Sequence, residues 1–359
     1  MSSSGRLSDL GERRIIREIL GARYGHRDGF GDDCAWVPAL EVNVTDKLLV
    51  TTDPCPEPAA GIAGFADEYY RGWLLATINL SDVAAAGAQP LGMVTSLVLP
   101  ASMPVADFER LLDGIDACCA EVGTSVIGGN LKEGSKIDIT ATAFGLCVGG
   151  SPLSRSGARP GDVVALVGDI GLFWAGLGCI LAKVEIPVEY QQILMKNVLT
   201  PLPMLAAGMA LRSSQLVTSC MDNSDGLYPS METLGAANEV GVDLDFGSVV
   251  WMPAVRWAAD ALQVDAVRFA LGWGDWQLVI TYPPEHAARL ADLMEAQGVA
   301  LTSIGTIASQ RGTRILHGGH FGELSPIDSQ RFASDSWFTT GIGAYEDSLL
   351  RASLFRLQS

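Results

Sequence analysis

Between residues 150 and 162 the chain reads GSPLSRSGARPGD, a stretch punctuated by glycine, proline and serine. Such residues interrupt helices and strands alike. Beyond them the order of apolar strands and amphipathic helices starts again. This break constrains the fold more than any other feature, and it predicts two α+β halves, residues 1–150 and 151–345. At 359 residues the chain is long enough for each half to bury a sizeable core.

In the first half, KLLVTT (47–52) predicts a strand ending at Asp53, and FADEYYRGWLLATINLSDVAAAGA (65–88) a helix stopping near Gly87. LGMVTSLVLP (91–100) reads as a strand and ADFERLLDGIDACCAEVG as a helix. TSVIGG reads as a buried strand ending in paired glycines, and KIDITATAFGLCVG (136–149) as a longer strand with some alternation. In the second half VVALVG is a strand, residues 187–212 are largely helical, and QLVTSCMDNSDGL is an apolar approach to an acidic turn. DWQLVITYP is a strand and EHAARLADLMEAQG a helix that Gly298 stops. No short tandem repeat appears. VVALVGDIGLFWAGLGCILA (163–182) is nearly long enough to span a membrane, but GDIG divides it into a buried strand and the start of a helix.

A formal charge of −17 argues against a broad basic surface for nucleic acid or an anionic membrane. It suits an anion complexed with metal, where divalent cations sit between protein acids and ligand. The seven cysteines form no CxxC pair and have no histidine spacing suited to zinc. Their odd number, with a polar lead (MSSSGRLSDLGERRIIREIL) entering an amphipathic helix rather than a targeting segment, predicts a reduced cytoplasmic protein with buried, inert thiols.

Four acidic segments share a grammar: GDDCA (31–35), VTTDP (50–54), NLSDVAAAGA (79–88) and DNSDGL (222–227). In the last three a hydroxyl residue directly precedes the acid, as Thr52–Asp53, Ser81–Asp82 and Ser224–Asp225. Asn79 and Asp82 are three apart and share a helix face. Asp222 and Asp225 bracket a turn into the next helix, which Ser224 is placed to cap. Two readings stand. As separate turns, the aspartates are ordinary caps. As a set, they offer the hard oxygen ligands that magnesium takes together with water and phosphate. Two carboxylates about 4 Å apart repel by about 1 kcal/mol in water and about 4 kcal/mol at an effective dielectric near 20, so a converging set demands counter-ions. The chain has no GxxxxGK[ST] loop and no GxSxG elbow, and His317 and His320 in LHGGH read as a loop feature.

GFGDDCA, TTD, INLSDVAAAGAQP, VIGGN, LSRSGARPGD, DNSDGL and RFALGWGDWQL follow one another in the order seen in thiamine-monophosphate kinases. The chain resembles that family from about residue 12 to residue 340. The wider superfamily includes aminoimidazole ribonucleotide synthetase, selenophosphate synthetase and a hydrogenase-maturation dehydratase. The resemblance implies a two-domain α+β fold of the aminoimidazole ribonucleotide synthetase type. It also implies a homodimer, in which the N-terminal domains share a barrel-like sheet and a C-terminal α+β domain packs alongside each. ATP would lie in the cleft between domains with several magnesium ions, its γ-phosphoryl group passing directly to a small-molecule acceptor. By motif, Asp33, Thr51, Thr52 and Asp53 would ligate magnesium, and Asp82 would bridge several ions. Gly129 and Asn130 would lie against the phosphates and Arg155 would pair with ATP. Asp222 and Asp225 would hold further magnesium, with Ser224 touching ATP. Asp33, Asp82 and Asp222 would be the acids on which catalysis rests.

Three departures bear on function. The family's GGD is GGN here, so Asn130, an amide that still coordinates, replaces a magnesium-binding carboxylate; Lys132 in the following LKEG supplies a nearby positive charge in place of the family's arginine. The family's GGEDYEL is GWGDWQL (272–278), which puts Gly274 where a substrate-contacting glutamate stands and adds Trp273 and Trp276. The segment TTDPCPEPAAGIAGF lacks the family's substrate histidine. Trp273 and Trp276 read either as core or, with Trp337 in SDSWFTTG, as the wall of a different acceptor pocket. The leading expectation is an ATP- and magnesium-dependent phosphotransferase whose acceptor is not thiamine monophosphate. The alternatives are an ATP-dependent ligase, cyclase or dehydratase that activates an amide or carboxylate oxygen, and a catalytically inactive nucleotide-binding protein.

Overall fold

Strands of the first half alternate between a covered and an open face, and that alternation positions every candidate ligand on them. The computed structural model describes residues 5–10, 14–26, 43–65, 67–317, 319–327 and 341–356. The chain divides into two compact units, Met1–Val83 with Ala88–Pro152, and Ala84–Gly87 with Leu153–Ser359.

In the first unit β1 (Lys47–Pro54), β2 (Gln89–Leu99), β3 (Val126–Glu133) and β4 (Asp138–Cys147) form one sheet in the order β1-β4-β2-β3. β2 and β3 run parallel and the other pairs antiparallel. On β4, Ile139, Ala141 and Ala143 are buried while Thr140, Thr142 and Phe144 are half-buried, the period of two expected of a sheet covered on one side. Leu48 and Val50 of β1, both 60 % exposed, mark the uncovered face.

Two helices accompany this sheet, α1 (Glu68–Ala85) and α2 (Val105–Glu121). α2 buries Val105, Phe108, Leu111, Leu112, Ile115, Cys118 and Cys119, a stripe at helical spacing, and begins at Pro104, whose fixed φ suits a helix start. The two helices cross in close contact because each presents a glycine: a Cβ on Gly72 would fall 2.0 Å from the Leu111 carbonyl oxygen, and one on Gly114 would fall 1.9 Å from that of Tyr69.

The second unit is built on an eight-stranded mixed sheet. Its strands are β5 (Val163–Val167), β6 (Ser219–Asp222), β7 (Gly241–Leu244), β8 (Leu278–Tyr282), β9 (Leu301–Ala308), β10 (Gly312–His317), β11 (His320–Leu324) and β12 (Phe355–Arg356). Their order is β12-β11-β10-β7-β9-β5-β8-β6. Every residue of β8 is buried, as in a strand covered on both faces. Besides a short helix at Val267–Leu271, the helices are α3 (Leu172–Leu181), α4 (Val188–Leu199), α5 (Leu205–Ser214), α6 (Leu227–Asn238), α7 (Pro253–Leu262), α8 (Ala287–Ala296) and α9 (Ile342–Leu350). Residues 163–182 are thus strand, turn and helix, and no helix among the described residues is long and apolar enough to cross a membrane. His317 and His320 form the last rung of the β10–β11 hairpin.

Three local expectations need correction. β3 does not stop at its paired glycines but runs through them to Glu133, because Gly129 lies so close to β2 that a Cβ there would sit 2.5 Å from the Thr95 carbonyl oxygen. The strand expected from Asp275 begins only at Leu278, since Gly274 (φ +110°) and Trp276 (φ +52°) turn the backbone away from extended geometry. Helix α6 starts from Gly226, with no side chain capping it, so Ser224 is not its cap.

Candidate functional site

Each unit holds its acids by a different device. In the first, α1 lies against β1 and its polar residues meet the strand. Thr51 and Asp53, two apart on β1, share a face of the strand; Asn79 and Asp82, three apart on α1, share a face of the helix. The Thr51 hydroxyl donates to Asp82 Oδ2. Asn79, fully buried, holds the backbone of Asp53 at both ends: its Oδ1 accepts from the Asp53 N–H at 3.0 Å and its Nδ2 donates to the Asp53 carbonyl at 3.2 Å. The same Nδ2 donates to the Leu75 carbonyl at 3.0 Å, so the amide is satisfied without solvent. A hydrogen bond to a charged partner is worth about 1.5–3 kcal/mol, which is ample to fix the Thr51–Asp82 pair.

Thr52 points to the opposite face, where its hydroxyl donates to the Ala141 carbonyl at 2.9 Å and accepts from Thr142 at 3.0 Å. Across the sheet, Asp53, Ala141, Thr95 and Gly129 occupy one row of the register. Gly129 therefore stands three strand spacings from Asp53, about 14 Å. Asn130 is exposed, opposite exposed Ser96. Asp33 and Trp337 lie outside the described residues.

In the second unit Asp222 ends β6 with 3 % of its side chain exposed, and Arg155 Nη2 stands 3.7 Å from its Oδ1. The loop carrying Arg155 is organised by Asn238, whose Oδ1 accepts from the Gly157 and Ala158 N–H groups at 2.7 and 3.1 Å and whose Nδ2 donates to the Arg155 carbonyl at 2.9 Å. Ser224 is half-buried and Asp225 exposed. A Cβ on Gly226 (φ +98°) would fall 3.0 Å from the Trp273 nitrogen, so the acidic turn rests directly on the 271–273 segment.

That segment enters an aromatic cluster. Trp273 stands 5.2 Å from Phe173, 5.4 Å from Trp174 and 5.8 Å from Tyr345, ring centre to ring centre. Each such pair adds about 0.5–1.5 kcal/mol beyond burial. Trp273 alone of the four is half-buried; the others, and Trp276, are buried. Burial thus puts Trp276 in the core and leaves part of Trp273 open. A Cβ on Gly274 would fall 2.4 Å from the Phe173 ring, so no side chain fits at 274 while Phe173 stays in place.

Beside them Asp275 is buried and accepts from the Gly171 N–H at 2.7 Å and the Phe173 N–H at 2.8 Å, at the start of α3. Burial outweighs these donors and pushes its carboxyl up to about 7. Asn79, Asn238, Asn223, Asp275 and Gln277 all organise the candidate ligands. Only Asn79 was marked in the sequence, by its spacing from Asp82; the others work over 50 to 100 residues and leave no local pattern.

The described candidate donors, carboxylates and hydroxyls with the amide of Asn130, are the hard oxygen ligands that suit magnesium. Among the described residues no three or more His, Cys, Asp or Glu side chains gather into a metal cage. Magnesium bound through one or two carboxylates and substrate phosphates needs none. Burial disfavours the thiolate form at several described cysteines. Cys118 is pushed up to about 12 and Cys179 to about 11, both by burial.

Two sheets, each carrying acids at strand ends beside a helix start or along a helix face, define a class that comparison with known families identifies. Residues 31–147 match the N-terminal domain of AIR synthase related proteins and residues 159–318 the C-terminal domain. The chain belongs to that family. It is similar to the thiamine-monophosphate kinase of Escherichia coli K12, with 30% identity over 300 residues, 82% of this chain and 89% of the relative. The crystal structure of thiamine-monophosphate kinase from Stenotrophomonas maltophilia superposes with a TM-score of 0.70 at 27% identity, covering 84% of this chain and 94% of that one. AaThiL complexed with AMPPCP and TMP gives a TM-score of 0.67 at 26% identity, covering 90% of this chain and 97% of that one.

Proposed function

We infer that this chain is an ATP-dependent kinase of the thiamine-monophosphate kinase type, acting on a small-molecule acceptor other than thiamine monophosphate. Kinases of that name among its relatives, and the AMPPCP in a related structure, support the nucleotide half. We assign magnesium on ATP to Asp53 and Asp82 in the first unit and to Asp222 and Asp225 in the second, with Asp33 added from the sequence. Bound there, magnesium would offset the phosphate charge and polarise the transferring group. Thr51 and Asn79 orient the first pair. Arg155 stands ready to exchange Asp222 for a phosphate oxygen, a task for its planar fork.

The acceptor half rests on one observation, the Phe173 ring packed where a side chain on residue 274 would lie. The family's glutamate at this position is absent, and the packing leaves no room for it. The open part of Trp273 offers an aromatic surface in its place. The uncovered face of the first unit, with Leu48 and Val50 exposed, is the surface we assign to a second copy of the chain.

The test is incubation with ATP, magnesium and thiamine monophosphate. Magnesium-dependent ATP binding without formation of thiamine diphosphate is the expected result. Brisk diphosphate formation would overturn the acceptor half, and no ATP binding would overturn the nucleotide half.

A further inference from the structure

We propose that the buried amides Gln277 and Asn223 are positioning residues, which lock the 222–226 acidic turn to the 273–277 loop and so set where Asp222 and Asp225 meet magnesium and ATP. The proposal rests on the assignment of those acids to magnesium. β6 and β8 pair as far as Asp222 and Leu278. One step further, where the strands have ended, the Asn223 N–H still donates to the Gln277 carbonyl at 2.9 Å, and Asn223 Nδ2 donates to Gln277 Oε1 at 3.2 Å. One backbone bond and one side-chain bond thus extend the ladder by a rung beside the acids.

The rung is held from both sides. Ser230 Oγ on α6 donates to Asn223 Oδ1 at 2.9 Å. Gln277 Nε2 donates to the Asp169 carbonyl and lies 3.4 Å from Asp275 Oδ2; that oxygen accepts from the Gly171 N–H and Asp275 Oδ1 from the Phe173 N–H, at the start of α3. Asn223 and Gln277 are completely buried, Ser230 is 3 % exposed and Asp275 8 % exposed. Buried amides cost stability unless bonded, and each of these amide oxygens and nitrogens has a partner. Apolar residues would fill the same space without fixing one backbone against the other. What the amides add is geometry. A carboxylate displaced by about 1 Å from its ion loses much of its effect.

The experiment titrates magnesium into the full-length protein with ATP and follows ATP binding by calorimetry, in wild type, Gln277→Leu and Ser230→Ala, each checked for folding by circular dichroism. Gln277→Leu should raise the magnesium needed for half-saturation about tenfold and Ser230→Ala about threefold. A purely structural role would lower the fraction of binding-competent protein and leave the half-saturation point unmoved. Unchanged half-saturation in both variants, with wild type binding normally, overturns this proposal alone. Absence of magnesium-dependent binding in wild type overturns the metal assignment and the proposal with it. If Gln277→Leu does not fold, Ser230→Ala decides, because it removes one hydrogen bond and no buried volume of consequence.

Discussion

The acids of the two units contrast in how they are held. Asp82 and Asp53 sit on a long helix and a strand that touch face to face, so secondary structure and one amide, Asn79, suffice to place them. Asp222 closes its strand and Asp225 lies between that strand and the next helix, and their turn is tied to Gln277, on a loop more than 50 residues away. The first arrangement separates chemistry from stability. The second joins them more tightly, since its turn has no helix or strand of its own and rests on the buried pair Asn223 and Gln277.

Three experiments would break or sharpen that contrast. Asp82→Asn keeps an acceptor for Thr51 but removes the charge we assign to metal binding. It should lower ATP turnover about a thousandfold, about 4 kcal/mol of transition-state stabilisation. Its melting temperature should stay within about 2 °C of wild type. A large loss of stability would show that the first unit does not keep the two properties apart.

Gly274→Glu should destabilise the second unit by about 3 kcal/mol, through strain at φ +110° and overlap with the Phe173 ring. Adding Phe173→Ala should recover part of that loss, measured by denaturant unfolding. Strictly additive losses would mean that the ring is not what excludes a side chain there.

The smallest effect concerns Asp275. Its folded-state carboxyl, raised by burial to about 7, lies above the unfolded value near 3.9. Between these values the folded chain keeps a proton that the unfolded chain has released, so stability contributed by this group falls as pH rises through the window. From about pH 5 to about pH 8 wild type should lose a few degrees more in melting temperature than Asp275→Asn, read by thermal unfolding. Parallel curves would remove Asp275 from the account of the second unit.

The same contrast explains what could be read from sequence. The strand–helix order and the Asn79–Asp82 spacing are local patterns, and the structure reproduces them. Paired glycines do not mark the end of β3, because they serve close strand approach as well as turns; the neighbour, Thr95, distinguishes the two uses. β8 starts later than its sequence pattern suggests because Trp276, a strand-favouring residue, takes a left-handed conformation. Alternation separated Thr52 from Thr51 and Asp53, which a motif read as a string had grouped. The Gln277–Asn223 pair was invisible, since nothing in either segment announces a partner 54 residues distant.

Asn79 grips residue 53 through its main-chain N–H and carbonyl. It would hold a serine, a histidine or an asparagine at that position as firmly as it holds the aspartate, and in the same place. The clamp therefore acts as an interchangeable socket: ligands and reactions could diverge at residue 53 over evolutionary time while the strand bearing it never shifts register.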